Sequence, residues 1–278
     1  MNNITIYGGS SMAGHMIYNY LSSKENYSIT PISESEIFPK GSIIPNDKIL
    51  SNYNHDYIIN CIRCLVEDSE SDPSKAIMYN SYFPRMLENI NKKKKTKIIH
   101  LSTDCVFSGK NGNYKELSVP DGYTIYARTK SIGEINNDKD VTIRTSYIGP
   151  NINGINEELF DWFIKQKGEV NGYKNAFWNG ITTLELAKKI KTVIEDDIRG
   201  IYHLCGKQKI SKFNLLKLIK NIWSKDNVQI KGTFNNKIDR SLIDTRKELT
   251  VLPYENMFRE LYNYMHSNKK LYEHYNEQ

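Results

Sequence analysis

The chain has 278 residues, with 38 Lys and Arg against 32 Asp and Glu, a net charge of +6 and a pI near 8.9. That length can bury a sizeable core, read as one domain with a smaller partner lobe. No run of about 18 apolar residues offers a membrane span, and Met1 leads straight into a strand pattern instead of a signal peptide, so a cytoplasmic protein is expected. The basic residues are dispersed, and the dense run at 92–95 reads as a solvated loop instead of a nucleic-acid track. A modest positive charge suits an anionic small substrate.

In chain order, Ile4-Thr-Ile-Tyr7 reads as a strand, followed by Gly8-Gly-Ser-Ser-Met-Ala-Gly14 and a helix over 12–21. Strands follow at 27–30 and 57–60, then a long helix around 76–90, a strand at 97–101, a helix over 126–134 and a strand at 141–144. After Gly149-Pro150-Asn151 the pattern changes: helices at 159–167 and 182–194, a strand at 200–204, and a helix over 213–223 that Ser211 N-caps. From 227 onward no alternation is visible. Strand-helix alternation with short connections predicts an α/β, doubly wound parallel sheet, with ligands beyond the carboxyl ends of its strands. The expected division is a Rossmann-type domain over 1–150, rejoined by 180–206, and a substrate lobe from 151–179 and 207–278.

The four cysteines make no secreted disulfide framework in a chain of this length. Cys61-Ile-Arg-Cys64 has metal-like spacing but no second pair, so buried thiols and no metal are expected.

The glycine turn lies between the first strand and the first helix, where a pyrophosphate can approach backbone N–H groups and a helix N-terminus. Ser11 stands where a middle glycine would complete G-x-x-G-x-x-G; its hydroxyl can still donate to phosphate. After the second strand, 32–36 carries no Arg for a 2′-phosphate and no acid cleanly placed for a ribose diol. Tyr126 and Lys130 stand four apart on one helix face, where a cation beside a phenol favours its ionised form. Thr103, Asp104 and Cys105 end the apolar run that precedes them.

Taken together, these blocks resemble the extended short-chain dehydrogenase/reductases, and more closely their dTDP-4-dehydrorhamnose reductase-like branch of nucleotide-sugar reductases. The resemblance includes the glycine loop, Asn60, Asn80 with Pro84, Leu101-Ser-Thr-Asp-Cys-Val-Phe-Ser-Gly109, Tyr126-x-x-x-Lys130 with Gly133-Glu134, Arg144-Thr-Ser-Tyr-Ile-Gly149, Trp178-Asn-Gly-Ile-Thr-Thr183 and Asp239-Arg-Ser-Leu242. It implies that Tyr126 protonates the alkoxide, Lys130 holds the nicotinamide ribose, and Thr103 binds the carbonyl, with Asp104 and Cys105 beside them. It implies a cofactor, NADPH with NADH as the alternative, on Gly8, Ser10, Ser11, Met12, Gly14, Asn60, Cys61 and Ile62. A nucleotide-diphosphate sugar would meet Thr145, Trp178, Asn179 and Arg240, with Arg246 a further candidate for the diphosphate. Arg144 reads as structural.

The resemblance favours a UDP-2-acetamido-2,6-dideoxy-hexulose, with dTDP-4-dehydrorhamnose as the alternative, and is compatible with a homodimer. Cys105 has two readings: a small core residue, or the acid/base of a C3 epimerisation, as in bifunctional relatives with Cys at this offset. On the second reading Thr103 and Cys105 share one side of an extended strand. An epimerase partner has no clear match; Lys165 is a candidate, and residues 156–158 stand where a His is expected. A non-catalytic regulatory subunit of the same branch is the rival class, which Ser11 favours and retention of Thr103, Tyr126 and Lys130 opposes.

Overall fold

Ile4, Ile6, Ile58, Ile59, Ile98, Ile99, Val141 and Ile143 are all buried. Near-continuous apolar runs of this kind mark strands covered on both faces, as in parallel sheets. The computed structural model describes residues 1–40, 42–51, 55–152, 158–235 and 237–275. In it, strands β1 (Asn2–Tyr7), β2 (Tyr27–Ile32), β3 (Tyr57–Asn60), β4 (Lys97–Thr103), β5 (Val141–Thr145) and β6 (Gly200–His203) form one sheet. Its order is β6-β5-β4-β3-β1-β2 and every pairing is parallel. The chain leaves β1 for β2 on one side and returns to β3 on the other. The crevice beyond the ends of β1 and β3 is therefore the topological switch point, where open α/β sheets take their ligands.

The helices expected after the first strand and in the second half are present as Met12–Ser22, Leu159–Lys165, Thr183–Glu195 and Lys212–Ile222. Ser211 caps the last of these, its Oγ accepting from the Asn214 N–H at 3.2 Å. The single helix expected around 76–90 is instead three pieces: Pro73–Ala76, a π-helical turn Ile77–Tyr82, and Phe83–Asn91. Pro84 has no N–H to donate to the carbonyl four residues back, at Asn80, so the regular ladder is interrupted there. That carbonyl packs on Gly133, where an added Cβ would lie 1.9 Å from it.

The tail, read as without alternation, contributes a strand Val228–Thr233 parallel to Gly168–Tyr173 and a helix Tyr254–Ser267. The strand was hidden because its burial is irregular, with only Val228 fully covered. Ala176–Trp178 sits between Ile210–Ser211 and Ile238–Asp239 in a small sheet, and Tyr147–Ile148 pairs with Ile181–Thr182. The lysines at 92–95 are exposed. Among the described residues, no helix is long and apolar enough to cross a membrane.

Beneath the carboxyl end of the sheet, Arg144 on β5 grips Glu134 through two bonds of 2.7 Å, and Ser102 on β4 donates to the same carboxylate at 2.8 Å. The two charged side chains are 3% and 5% exposed. Removing one partner strands a buried charge. Arg144→Leu should therefore cost about 3–5 kcal/mol in urea unfolding, and the Arg144→Leu/Glu134→Leu double variant distinctly less than the sum of the two single losses.

Candidate active site

Gly8 has φ of +81°, and a Cβ there would lie 3.1 Å from the Cys61 carbonyl carbon. At Gly14 a Cβ would stand 2.1 Å from the Gly8 carbonyl oxygen, so the first helix closes onto the turn only with glycine there. Ser11 is the N-cap of Met12–Ser22, its Oγ accepting from the Gly14 N–H at 3.1 Å. The opposite wall is set by Asn60, whose Oδ1 accepts from the Ile62 N–H and whose amide meets His100 Nδ1, both at 3.1 Å. Gly8, Ser10, Ser11, Met12, Cys61 and Ile62 thereby line one cavity of ≈ 220 Å³, with Gly14 and Asn60 shaping it from behind. Glu34, from beyond β2, also reaches this cavity. A glycine cradle against a helix N-terminus fits the phosphates of a dinucleotide.

A second cavity, of ≈ 180 Å³, brings together Thr103, Asp104, Cys105, Tyr126, Lys130 and Thr145. Tyr126 and Lys130 come from the helix Ile125–Ile132, N-capped by Thr124. Lys130 is 2% exposed and donates to the Leu101 carbonyl at 2.7 Å. The strand expected to carry both Thr103 and Cys105 ends at Thr103. Asp104–Val106 is a 3-10 turn, which Thr103 caps by accepting from the Cys105 N–H at 3.1 Å. Cys105 thus reaches the cavity from a turn, and Arg240 Nη1 stands 3.5 Å from its sulfur.

Burial dominates the electrostatics. It pushes the Tyr126 phenol above its usual value, with Cys105 adding to the rise and Arg63 and a Thr103 hydrogen bond opposing it. It lifts the Cys105 thiol to about 11, reinforced by Asp104 and countered by Arg240. It raises the Asp104 carboxyl against the pull of Arg240 and Lys212. Lys130 is drawn down to about 7 by burial and then by Arg63, with Glu134 holding it up.

Other expected residues act from behind the cavity or elsewhere. Trp178 donates its indole N–H to Ser146 Oγ at 2.7 Å, and Ser146 lines the Tyr126 cavity. The Asn179 carboxamide is engaged by backbone, accepting from Leu242 N–H at 2.9 Å and donating to the Leu242 and Gly206 carbonyls at 2.7 and 3.1 Å. Arg246 faces Glu248 and stacks on Tyr202. Lys165 lies in the last turn of Leu159–Lys165, outside the Tyr126 cavity. Residues 156 and 157 fall outside the described residues, whereas Glu158 lines both cavities. Cys61 and Cys64 are buried free thiols.

Arg63 and Tyr147 also line the Tyr126 cavity and Lys212 lies beside Asp104 and Cys105, three side chains that no motif singles out. Arg63 pairs with Glu158 and lies 5.2 Å from the Tyr147 ring centroid. Its signal in the sequence is a lone cation three residues after an apolar strand of the sheet, inside the C-x-x-C spacing. Lys212 packs 5.2 Å from the Trp178 ring centroid, near enough to Asp104 and Cys105 for their charges to favour its protonated form against burial.

The model of the RmlD substrate binding domain family matches residues 1–248. The chain belongs to this family. It is 23% identical over 206 residues to the dTDP-4-keto-6-deoxy-D-glucose reductase of Streptomyces niveus, covering 71% of this chain and 70% of that one. It is 24% identical over 159 residues to methionine adenosyltransferase 2 subunit beta of Xenopus laevis, covering 52% of this chain and 48% of that one. Among solved structures, dTDP-4-dehydrorhamnose reductase of Bacillus anthracis, in complex with NADP, superposes with a TM-score of 0.80 at 18% identity, over 96% of this chain and 99% of that one. At that identity the likeness shows the family's fold.

The Lys130 value yields a signed test. Its folded pKa lies below the unfolded value of 10.5, so folding disfavours the charged form. The penalty is absent above about 10.5, grows as pH falls, and is complete below about 7. Lys130→Met should therefore gain stability relative to the parent chain by more at about pH 6 than at about pH 9, read from thermal unfolding of ligand-free protein.

Proposed function

We propose that this chain is an NAD(P)H-dependent reductase of the C4 ketone of a nucleotide-linked 4-keto-6-deoxyhexose. The observation that carries the reading is the gathering of Thr103, Tyr126 and Lys130 in one cavity that adjoins the glycine-turn cavity. Gly8, Ser10, Ser11, Met12, Cys61 and Ile62 would hold the dinucleotide, with Lys130 at its nicotinamide end. The reduced nicotinamide supplies a hydride when bound. Tyr126, kept protonated at neutral pH by burial, is in the state needed to give its proton to the ketone oxygen as charge develops there. The Thr103 hydroxyl donates to the same oxygen, and Lys130 beside the resulting phenolate favours its negative charge. Arg240 lies toward the substrate side, beside Cys105.

The finer substrate reading is a UDP-2-acetamido-2,6-dideoxy-hexulose, supported by resemblance of the Trp178 and Thr103 blocks, with dTDP-4-dehydrorhamnose as the alternative. NADPH is the favoured donor, and cytoplasmic deoxysugar synthesis for surface glycans, by a homodimer, is the expected setting. Cys105 supports an added C3 epimerisation. It lines the cavity, and Arg240 beside its sulfur would favour the thiolate that takes the proton from the carbon beside the ketone; the thiol so formed, protonated at neutral pH, can give a proton back to that carbon.

Incubation with NADPH or NADH and UDP-, dTDP- or GDP-linked 4-keto sugars tests the reading through loss of the reduced cofactor's absorbance. No oxidation with any of them would sink it and restore the regulatory-subunit class. Tyr126→Phe should lower reduction by about 10²–10⁴-fold while sparing dinucleotide affinity. Cys105→Ser should leave reduction largely intact but stop deuterium entering from solvent beside the ketone; continued incorporation would return Cys105 to the core.

A further inference from the structure

The cavity at the glycine turn and the cavity at Tyr126 share Cys61, Ile62, Arg63, Leu65 and Glu158 in their linings. They are two halves of one crevice, and Arg63 with Glu158 stands at its waist. Arg63 follows β3 by three residues, on the turn fixed by Asn60 on one side and by Asn80 on the other, where Asn80 Oδ1 accepts from the Cys64 N–H at 2.9 Å. Its guanidinium is held between the Glu158 carboxylate and the face of Tyr147. Both members of the pair keep part of their surface in solvent, at 20% and 25% side-chain exposure, so the contact can open toward the crevice.

A dinucleotide reaching from the glycine turn to Lys130 has to cross this waist. The unit that joins its two nucleosides is a pyrophosphate, the most strongly anionic part of the molecule. A guanidinium fork that fits a carboxylate fits phosphate oxygens equally well. Arg63 is also near enough to Lys130 to disfavour that ammonium, so an anion laid between them relieves that repulsion.

We infer that Arg63 is a ligand of the dinucleotide's pyrophosphate, and that Glu158 is its place-holder, exchanged for the phosphates when the cofactor binds. The inference rests on the dinucleotide reading above. It gives the two residues of one ion pair opposite effects: Arg63 adds to affinity, and Glu158 competes with the ligand.

Calorimetric titration of the full chain with ADP-ribose, which carries the pyrophosphate but no nicotinamide, tests this without turnover. Arg63→Met should weaken binding by about 10- to 100-fold, the range of a lost charge-assisted bond. Glu158→Gln should tighten binding, and Arg63→Met/Glu158→Gln should match Arg63→Met alone, since the carboxylate acts only through the guanidinium. Unchanged affinity in a folded Arg63→Met would overturn the inference, as would Glu158→Gln weakening ADP-ribose, a result that does not depend on Arg63→Met folding. Failure of the parent chain to bind either ADP-ribose or NADPH would instead remove the dinucleotide reading, and this inference with it.

Discussion

The geometry of the candidate site hangs on the buried pair between Arg144 and Glu134. Glu134 follows the helix Ile125–Ile132 by two residues, and Arg144 lies near the end of β5, so the two hydrogen bonds from Arg144 to Glu134 set how that helix docks on the sheet. Ser102 completes the carboxylate, and the second edge of the guanidinium reaches the Glu116 carbonyl at 3.1 Å. Two buried charges are costly to desolvate unless every lone pair and N–H finds a partner. Here the partners come from β4, β5 and the loop around Glu116, so the pair is satisfied only when those segments are correctly assembled. Tyr126 and Lys130 hang from the helix fixed in this way, opposite Thr103 at the end of β4.

A second brace acts from the other side. Asn80, on the π-helical turn, accepts from the Cys64 N–H and donates to the Cys64 carbonyl and Thr129 Oγ1, both at 3.2 Å. Ser81 donates to the Thr129 carbonyl at 2.7 Å. The turn after β3 and the Tyr126 helix, two walls of the crevice, are thus tied to one another through a single buried carboxamide. Interruption of the helix at Pro84 frees the Asn80 carbonyl, and Gly133 leaves room for it to dock against the Tyr126 helix. A regular helix over the same residues would have kept that carbonyl within its own ladder.

How much was legible in the sequence follows from which forces are local. The apolar runs of β1, β3, β4 and β5 and the i,i+4 pairing of Tyr126 with Lys130 depend on neighbours along the chain, and they stood out. Long-range contacts did not. Arg63 meets Glu158 at a separation of 95 residues and Arg240 meets Cys105 at 135, and no local period announces either. The strand expected to reach Cys105 stops at Thr103 because the Thr103 side chain accepts from the Cys105 N–H and turns the chain there, a bond no apolar period announces. Asn179 shows the opposite case. Its place in a recognisable block suggested substrate contact, while its carboxamide is occupied by the Leu242 and Gly206 backbone.

The modest net charge of +6 acquires a location in this crevice. Arg63 and Lys130 line the Tyr126 cavity, with Lys212 and Arg240 beside Asp104 and Cys105. Burial penalises the Lys130 and Lys212 ammoniums and the Asp104 carboxylate, drawing the two lysines down and pushing the carboxyl up. Clustered, partly desolvated cations gain most from an anion that enters with them. A dinucleotide at one end and a nucleotide-diphosphate sugar at the other would each bring two phosphates. Each would favour charged Lys130 and charged Lys212, the states that on the proposed reading would steady a phenolate at Tyr126 and a thiolate at Cys105. On the proposed reading, ligand binding and readiness for proton transfer would be coupled through the same side chains.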